Sequence, residues 1–327
     1  MQRRTLAHGF EVSAIGLGCM GMSEFYGPRD DEVALRVLAE AVDLGVDFFD
    51  TADMYGPHHN ECLLGSFLAQ TNAPVKIATK FGIVREPGEY KRRLDNSPAY
   101  ARIACEDSLK RLGVDQIDLY YVHRIETGRD IEETMGGLAD LVVEGKIARI
   151  GLCEVSAQTL RRAHAVHPVT AVQTEYSLWT RHVEAEILPA CRDMGVGFVP
   201  YSPLGRGFLT GTFQQDTKFE DGDFRTSLPR FQDVALDANR RIADAVAWMA
   251  QEKGCTPAQL SIAWLLSKGD DIVPIPGTKR LRYLQDNVGA VDVNLTPGEV
   301  MRLERAIEAL PVSGARYTEE GMKGVAA

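Results

Sequence analysis

The chain has 327 residues, and its 45% hydrophobic and 25% charged content is typical of a folded globular protein of one or two domains. The formal net charge of -10 argues against nucleic acid or an anionic membrane as a partner, since both bind basic surfaces. The six cysteines are scattered without metal-ligand spacing, so a reduced protein with no metal site is predicted. The N-terminal residues lack the apolar run of a signal peptide, and no stretch approaches the roughly 20 apolar residues of a membrane span, so a cytoplasmic location is expected.

Short apolar runs alternate with longer amphipathic runs from about residue 14 to residue 290, a pattern typical of βα units and a parallel sheet. Helices are predicted between the strands, among them 31–44, 98–112, 134–144, 157–164 and 183–194. Eight parallel strands with intervening helices favour an α/β fold of the (β/α)8 TIM barrel type, with residues 1–327 as a single domain; an open doubly wound sheet is the alternative. The eight predicted strands are 14–17, 48–50, 75–79, 117–122, 147–152, 171–173, 197–201 and 272–274.

Four segments lie outside the regular alternation. Residues Thr5 to Val12 are predicted to form an N-terminal β-hairpin that caps the barrel floor. The segment Gly205 to Asp233 has no clear periodicity, and a loop of that length is usually functional. Capping signals at Thr256-Pro257 and Thr296-Pro297 predict a helix before the eighth strand and an extra C-terminal helix that extends to Leu310.

The run from Gly16 to Gly21 matches G-x-G-x-x-G, the dinucleotide fingerprint of a Rossmann fold. In that fold the third glycine opens a helix, whereas here a polar loop follows and helical periodicity begins only near Asp31. We therefore interpret the run as a tight loop at the mouth of a barrel.

Four ionisable side chains are predicted to meet at one rim of the barrel. Asp50 and Tyr55 follow the second strand, Lys80 ends the third and His123 ends the fourth. Neighbouring parallel strands lie about 4.8 Å apart, and catalytic residues of such barrels lie at the carboxyl ends of the strands. We therefore expect these four side chains to converge.

These residue types suit the protonation of a carbonyl oxygen. A tyrosine is a weak acid near pH 7 unless a neighbour stabilises its phenolate, and Lys80 beside Tyr55 would do so. Asp50 would keep Lys80 charged, and His123 would hydrogen-bond the reacting oxygen. Taken singly, each residue has a structural alternative. Asp50 could be a turn or helix cap and Tyr55 a packed loop aromatic, while Lys80 could be solvated and His123 a core histidine. Their shared position favours the catalytic interpretation.

At these residues the sequence resembles the aldo-keto reductases over nearly its whole length. The matching motifs are Asp50-Thr51-Ala52 with Tyr55-Gly56, Ile77-Ala78-Thr79-Lys80, and Val122-His123-Arg124. The resemblance is greatest to a bacterial and plant branch with short substrate loops, including pyridoxal reductase-like and aryl-alcohol dehydrogenase-like members. It implies Tyr55 as general acid, Lys80 tuning its pKa, Asp50 pairing with Lys80, and His123 orienting the carbonyl.

The resemblance also implies that NADP(H) binds in an extended form at the carboxyl-terminal face of the barrel. Gln173 would bind the nicotinamide carboxamide and Tyr201 would stack on the ring. Ser202, Leu204 and Arg206 would line the pyrophosphate path, although an ordinary turn is the alternative. A basic helix start would bind the 2'-phosphate through Lys279 and Arg280, with Asp286 and Asn287 at the adenine; a solvated helix start is the alternative there. The full implied set is Gly18, Cys19, Met20, Asp50, Cys153, Glu154, Gln173, Tyr201, Ser202, Pro203, Leu204, Gly205, Arg206, Gly277, Thr278, Lys279, Arg280, Tyr283, Asp286 and Asn287.

One position departs from the family pattern. Cys153-Glu154 stands where the family commonly has serine followed by asparagine or glutamate. A thiol is a weak hydrogen-bond donor, so this side chain would hold the carboxamide less tightly. A catalytic thiol at Cys153 is an alternative that no other feature of the sequence selects.

The main functional hypothesis is thus NADPH-dependent reduction of an aldehyde or ketone. A regulatory or redox-sensing protein of the potassium-channel β-subunit type is the first alternative, and a barrel with lyase or isomerase chemistry is the second. The substrate, the physiological direction and the choice between monomer and homo-oligomer are not readable from the sequence, because substrate loops set specificity.

Overall fold

The computed structural model describes residues 1–89, 91–213, 219–220 and 222–326. Seven parallel strands form its central sheet, and each strand lies beside the next one along the chain, without the order reversal of a doubly wound sheet. The predicted α/β barrel is confirmed. In chain order the strands of the described residues are β1 Arg3–Thr5, β2 Glu11–Ser13, β3 Leu17–Gly18, β4 Phe48–Asp50, β5 Lys76–Phe81, β6 Ile83–Val84, β7 Arg93–Leu94, β8 Leu119–Val122, β9 Ile150–Cys153, β10 Val169–Glu175 and β11 Gly197–Tyr201; the sheet consists of β3, β4, β5, β8, β9, β10 and β11.

The predicted eighth strand is an irregular segment that still closes the barrel. It pairs with β11 through a single parallel bridge between Phe198 and Ile272. Pro274 and Pro276 have no backbone N–H, so they cannot form a regular ladder. Their carbonyl oxygens instead accept hydrogen bonds of 3.0 and 3.4 Å from the N–H groups of Gly16 and Gly18 on the other edge. The sheet therefore has seven regular strands where eight were predicted, although the barrel closes as predicted.

The N-terminal hairpin is confirmed and closes the floor of the barrel. Strands β1 and β2 are antiparallel, and a short 3-10 turn at Ala7–Gly9 joins them. Phe10 packs edge to face against Phe48 inside the barrel, with ring centroids 6.0 Å apart. This apolar plug fills the lower end of the barrel, and the carboxyl ends of the strands lie at the other end.

Eleven helices are present in the described residues, and most lie outside the sheet. The predicted helix 183–194 is interrupted, with a 3-10 turn at His182–Glu184 before α6. Capping boxes at Thr256 and Thr296 begin α8 and the extra C-terminal helix α10, as predicted. The helices are α1 Asp31–Asp43, α2 His59–Leu68, α3 Pro98–Leu112, α4 Ile131–Val143, α5 Ala157–Val166, α6 Ile187–Asp193, α7 Asp233–Lys253, α8 Pro257–Ser267, α9 Leu281–Val288, α10 Pro297–Glu308 and α11 Glu319–Met322.

The first glycine-rich loop does not open a helix, which confirms that the Rossmann fingerprint was a false match. A 3-10 turn at Met20–Met22 follows β3, and α1 begins only at Asp31. The glycines serve close packing instead. A Cβ atom on Gly18 would lie 2.8 Å from the carbonyl oxygen of Ile275, so only glycine fits where the barrel closes.

The long loop after β11 contains 3-10 turns at Phe208–Thr210, Phe224–Ser227 and Pro229–Phe231. Part of the predicted loop 205–233, at 214–218 and 221, lies outside the described residues. In the part of the chain that the structure describes, no helix is both long and apolar enough to cross a membrane.

Candidate active site

The four predicted catalytic residues lie together at the carboxyl ends of β4, β5 and β8. Asp50 ends β4, Lys80 lies near the end of β5, and His123 directly follows β8. After β4 the chain continues beside β5, because the N–H groups of Thr51 and Asp53 donate to backbone oxygens of β5 at 2.8 and 3.1 Å. This pairing places the loop that carries Tyr55 next to Lys80.

Lys80 is fully buried, and its ammonium joins the other members of the group. It forms an ion pair with Asp50 and donates to the carbonyl oxygen of Thr51 at 2.7 Å. It also reaches the hydroxyl of Tyr55 at 3.3 Å. A charge buried this deeply is stable only when it is paired and hydrogen-bonded, so the lysine has a defined position.

The charges in this group set which side chains hold protons near neutral pH. Burial is the largest single influence and lowers the pKa of Lys80, but the charge and hydrogen bond of Asp50, together with Tyr55 and Cys153, raise it by more, so the lysine remains an ammonium. Burial raises the pKa of Tyr55 above its usual value of 10.0, and Lys80 opposes that rise. The phenol is therefore protonated and lies beside a cation that stabilises its phenolate.

His123 lies against the same tyrosine. The two rings meet edge to face with centroids 5.8 Å apart, and the His123 backbone N–H donates to Phe81 O at 2.8 Å. Burial lowers the pKa of His123 well below 6.5, and the positive charges of Lys80 and Arg124 lower it further. The imidazole is therefore neutral near pH 7. A neutral imidazole carries one N–H donor, which suits a hydrogen bond to a carbonyl oxygen.

A cleft of about 1120 Å³ opens above this group. Asp50, Tyr55 and His123 line it, whereas Lys80 lies beneath its surface. The predicted cofactor residues that also line the cleft are Gly18, Met20, Gln173, Tyr201, Ser202, Pro203, Leu204, Arg206, Gly277, Thr278, Lys279, Arg280, Tyr283, Asp286 and Asn287.

Gln173 and Tyr201 lie on adjacent strands of the cleft floor. The Gln173 amide donates to Asp50 at 2.7 Å, which ties the predicted carboxamide ligand to the Lys80 pair. The hydroxyl of Tyr201 lies 2.8 Å from that of Tyr317 and donates to Glu154 at 2.6 Å. Both hydroxyl contacts hold the Tyr201 side chain in place at the cleft wall.

Four residues of the predicted cofactor set do not line the cleft: Cys19, Cys153, Glu154 and Gly205. Burial raises the pKa of Cys153 to about 12 and outweighs the opposing charges of Lys80 and Arg124, so its thiol is protonated, which argues against a role as nucleophile. Glu154 is buried and points its carboxylate at Arg316 of the C-terminal segment, with contacts of 3.0 and 2.8 Å. Its side chain is thus committed to an internal ion pair.

The loop after β11 has an unusual backbone. Ser202 and Arg206 adopt positive φ angles of 48° and 60°, a conformation that is rare for residues other than glycine and common at ligand-binding loops. The Arg206 guanidinium is buried and paired with Glu175 at 3.1 Å. Its side chain therefore has a carboxylate partner already and is not a free cation for the pyrophosphate path.

The basic segment before α9 also lines the cleft. No side chain caps the start of α9 at Arg280, so the N–H groups of its first turn have no side-chain acceptor from the cap. Lys279 donates to the carbonyl oxygens of Tyr26 and Pro28 across the cleft. Arg280 and Arg282 also line the cleft and form no ion pair among the described residues.

Sequence reasoning missed several residues of this cleft. Arg124 was part of a quoted motif but received no role, while Arg92, Phe224 and Tyr317 were not singled out. Tyr317 belongs to the segment after α10, where the sequence has no periodicity that would place it over the barrel mouth. For Arg124 the signal was its position directly after the strand-end histidine. Among the described residues, no group of three or more His, Cys, Asp or Glu side chains is arranged to hold a metal.

Comparisons with known proteins agree with this arrangement. The model of the aldo/keto reductase family matches residues 14–308. The chain is 47% identical to a probable aldo-keto reductase 1 of Glycine max over 311 residues, which is 94% of this chain and 89% of the relative. A glycerol dehydrogenase from Gluconobacter oxydans superposes with a TM-score of 0.85 at 27% identity, covering 97% of this chain and 98% of the other. A thermostable aldo-keto reductase in complex with the inhibitor epalrestat has a TM-score of 0.75 at 26% identity, with 94% and 100% covered.

The chain therefore belongs to the aldo/keto reductase family. It is an oxidoreductase by that membership, and the family points to carbonyl chemistry with a nicotinamide cofactor.

Proposed function

We propose that this protein is an NADPH-dependent carbonyl reductase that converts aldehydes or ketones to alcohols, with Tyr55 as the proton donor. The observation that carries the proposal is the contact of the buried Lys80 ammonium with both Asp50 and the Tyr55 hydroxyl. A paired cation beside a protonated phenol lowers the free energy of the phenolate that proton transfer leaves behind.

The residues of the chain have separable roles in this reaction. His123 donates a hydrogen bond to the carbonyl oxygen and orients it toward the phenol. The bound nicotinamide supplies the hydride that adds to the carbonyl carbon. As the C=O π bond breaks, the oxygen takes the proton of the Tyr55 hydroxyl, and Lys80 stabilises the resulting phenolate.

The donor set of the cleft fits a dinucleotide phosphate. The uncapped start of α9 and the cations Arg280 and Arg282 line the same cleft as Gln173 and Tyr201. A helix N-terminus with adjacent arginines suits a phosphate monoester, and this cationic group lies on a chain of net charge -10. We propose that Arg280 and Arg282 hold the 2'-phosphate, so NADPH is preferred over NADH.

Substitution of Tyr55 by phenylalanine tests the chemistry. The variant should bind NADPH as the wild type does, measured by quenching of tryptophan fluorescence, and should lose most NADPH-dependent aldehyde reduction, measured by absorbance. The matched control is Tyr100→Phe, because this partly buried hydroxyl does not line the cleft. Full turnover by Tyr55→Phe would remove Tyr55 from the role of donor.

The cofactor preference has its own test. Replacement of Arg280 by alanine should weaken NADPH binding about tenfold or more and leave NADH binding nearly unchanged, since only NADPH carries the 2'-phosphate. Equal losses for both cofactors would contradict this assignment. Tight NADPH binding without turnover of a broad aldehyde panel would favour the regulatory alternative.

We also propose that residues 1–327 act as one barrel domain in the cytoplasm and take a small carbonyl compound as substrate, with neither nucleic acid nor a membrane as partner. Size-exclusion chromatography with light scattering would decide between a monomer and a homo-oligomer.

A further inference from the structure

Arg124 is a buried cation at the reactive end of the cleft. It follows His123 and lines the same cleft as Tyr55, and only 6% of its surface is exposed. One terminal nitrogen donates to the backbone carbonyl of His123 at 2.8 Å, and its Nε is buried with no partner. No carboxylate among the described residues pairs with this guanidinium. A buried charge in this state lacks the compensation that such groups normally have.

Three other arginines in or near the cleft, all with little exposed side chain, have that compensation. Arg206 pairs with Glu175, and Arg225 pairs with Asp223. Arg85, another buried guanidinium near the cleft, pairs with Glu24. Arg124 differs from these three because it has no carboxylate partner among the described residues. It also lies directly beside His123, the residue proposed to bind the reacting carbonyl.

The nearby carboxylate of Glu154 acts on the charge of Arg124 but forms no ion pair with it. Glu154 accepts hydrogen bonds from both terminal nitrogens of Arg316, from the Tyr201 hydroxyl and from the Glu175 N–H. Both of its oxygens already accept hydrogen bonds from these groups. Arg124 thus lines the cleft without a carboxylate partner among the described residues.

The position of Arg124 is constrained by the C-terminal segment. A Cβ atom on Gly324 would lie 3.0 Å from the Cβ of Arg124, so the segment packs closely against the base of this side chain. The Ile125 N–H donates to the Gly324 carbonyl at 3.3 Å. These contacts reduce the conformational freedom that the side chain would lose on binding a ligand.

We propose that Arg124 binds an oxyanion of the substrate, so the enzyme prefers aldehydes or ketones that carry a carboxylate or phosphate group. This inference rests on the proposed carbonyl reduction and names its substrate class. A guanidinium recognises both oxyanions through paired hydrogen bonds, and such bonds are stronger at a side chain that is as buried as Arg124. Arg124 is a substrate-binding residue here and moves no proton.

Kinetics with matched substrates test the preference. The probes are 4-carboxybenzaldehyde, its neutral methyl ester and 4-formylphenyl phosphate, each with saturating NADPH. The wild type should show a kcat/KM for at least one anionic aldehyde on the order of tenfold or more above that for the ester. The better of the two anions identifies the group that the site takes, and a preference for the ester would overturn the proposal.

Variants assign that preference to the residue. In Arg124→Met the ratio of acid to ester kcat/KM should fall to about one, chiefly through the KM of the acid. Arg124→Lys should keep part of the ratio, because it retains the charge without the planar pair of donors. The control is Arg129→Met, five residues further along and outside the cleft, which should keep the wild-type ratio. An unchanged ratio in Arg124→Met would overturn the assignment.

A binding measurement separates this inference from the proposed function. Calorimetric titration of the NADP⁺-bound protein with benzoate and with benzamide needs no turnover. Benzoate should bind more tightly, and Arg124→Met should remove the difference. If that result appears without aldehyde reduction, the anion site stands and the proposed reductase activity fails. Equal affinity for both probes, or a loss of NADP⁺ binding alone in Arg124→Met, would contradict the anion site.

Discussion

The guanidinium of Arg316 donates two hydrogen bonds to the carboxylate of Glu154, at 3.0 and 2.8 Å, and so ties the C-terminal segment to the end of β9. The next residue, Tyr317, extends this tie to the cleft wall through its hydroxyl contact with Tyr201. The backbone N–H of Ala326 also donates to the Glu154 carbonyl at 2.6 Å. Glu154 thus holds the C-terminal segment that brings Tyr317 to the cleft.

Glu154→Gln should lower the free energy of unfolding by about 3 kcal/mol, because it removes the carboxylate that accepts both hydrogen bonds of the buried Arg316 and leaves only Glu175 at 3.8 Å. The double variant Glu154→Gln with Arg316→Met removes both charges and should recover a large part of that loss. Urea unfolding followed by tryptophan fluorescence measures both values. A double variant whose loss equals the sum of the two single losses would show that the pair is not coupled.

The same ion pair predicts a dependence on acid pH. Burial raises the pKa of Glu154, but the hydrogen bond and charge of Arg316, together with the charge of Arg124 and the Tyr201 hydrogen bond, lower it by more, to about 2 from 4.5. A carboxyl with a depressed pKa in the folded state stabilises the fold fully above pH 4.5, and this contribution is lost as the pH falls toward 2. The stability difference between wild type and Arg316→Met should therefore shrink by roughly 2 kcal/mol between pH 6 and pH 3. A difference that stays constant over this range would argue against the ion pair.

Lys80→Met should reduce kcat for aldehyde reduction by a factor on the order of 10² to 10⁴, because the phenolate of Tyr55 loses its cation. Lys76→Met is the matched control: this lysine begins the same strand and pairs with Asp47 at 2.9 Å, far along β5 from the reactive end. Lys80→Met leaves the buried Asp50 carboxylate without its ion-pair partner, which could cause misfolding. The double variant Lys80→Met with Asp50→Asn removes both charges and avoids this problem. If the folded double variant kept wild-type kcat, the lysine would have no role in proton transfer.

Gly18→Ala should destabilise the protein by about 1 to 3 kcal/mol, because the new methyl group would collide with the Ile275 carbonyl oxygen 2.8 Å away. NADPH binding should weaken as well, since Gly18 lines the cleft. Gly136→Ala on α4 is the control, and it should stabilise the protein by about 0.5 to 1 kcal/mol because no atom lies within 4 Å of its Cβ position. Thermal unfolding measures the stability changes of Gly18→Ala and Gly136→Ala. Equal stability changes at both glycines would contradict this account of barrel closure.

The sequence by itself determined the barrel and the four residues at its rim. Asp50, Lys80 and His123 each end an apolar strand, and adjacency along the chain predicts adjacency in a parallel barrel. The helix starts at Thr256 and Thr296 were equally readable, because capping depends on residues three apart.

Only the tertiary structure decided what reaches the rim from far along the chain. Arg316 lies 162 residues from Glu154, and no local pattern indicates that the two pair. The irregular closure of the barrel likewise depends on a long-range contact, because the carbonyl oxygen of Pro274 accepts a hydrogen bond from the N–H of Gly16 on the opposite edge. Arg124 was visible beside His123 in the sequence, but its lack of a carboxylate depends on which side chains surround it after folding. Local periodicity determines strands and their ends, whereas long-range contacts determine which charges remain available to a ligand.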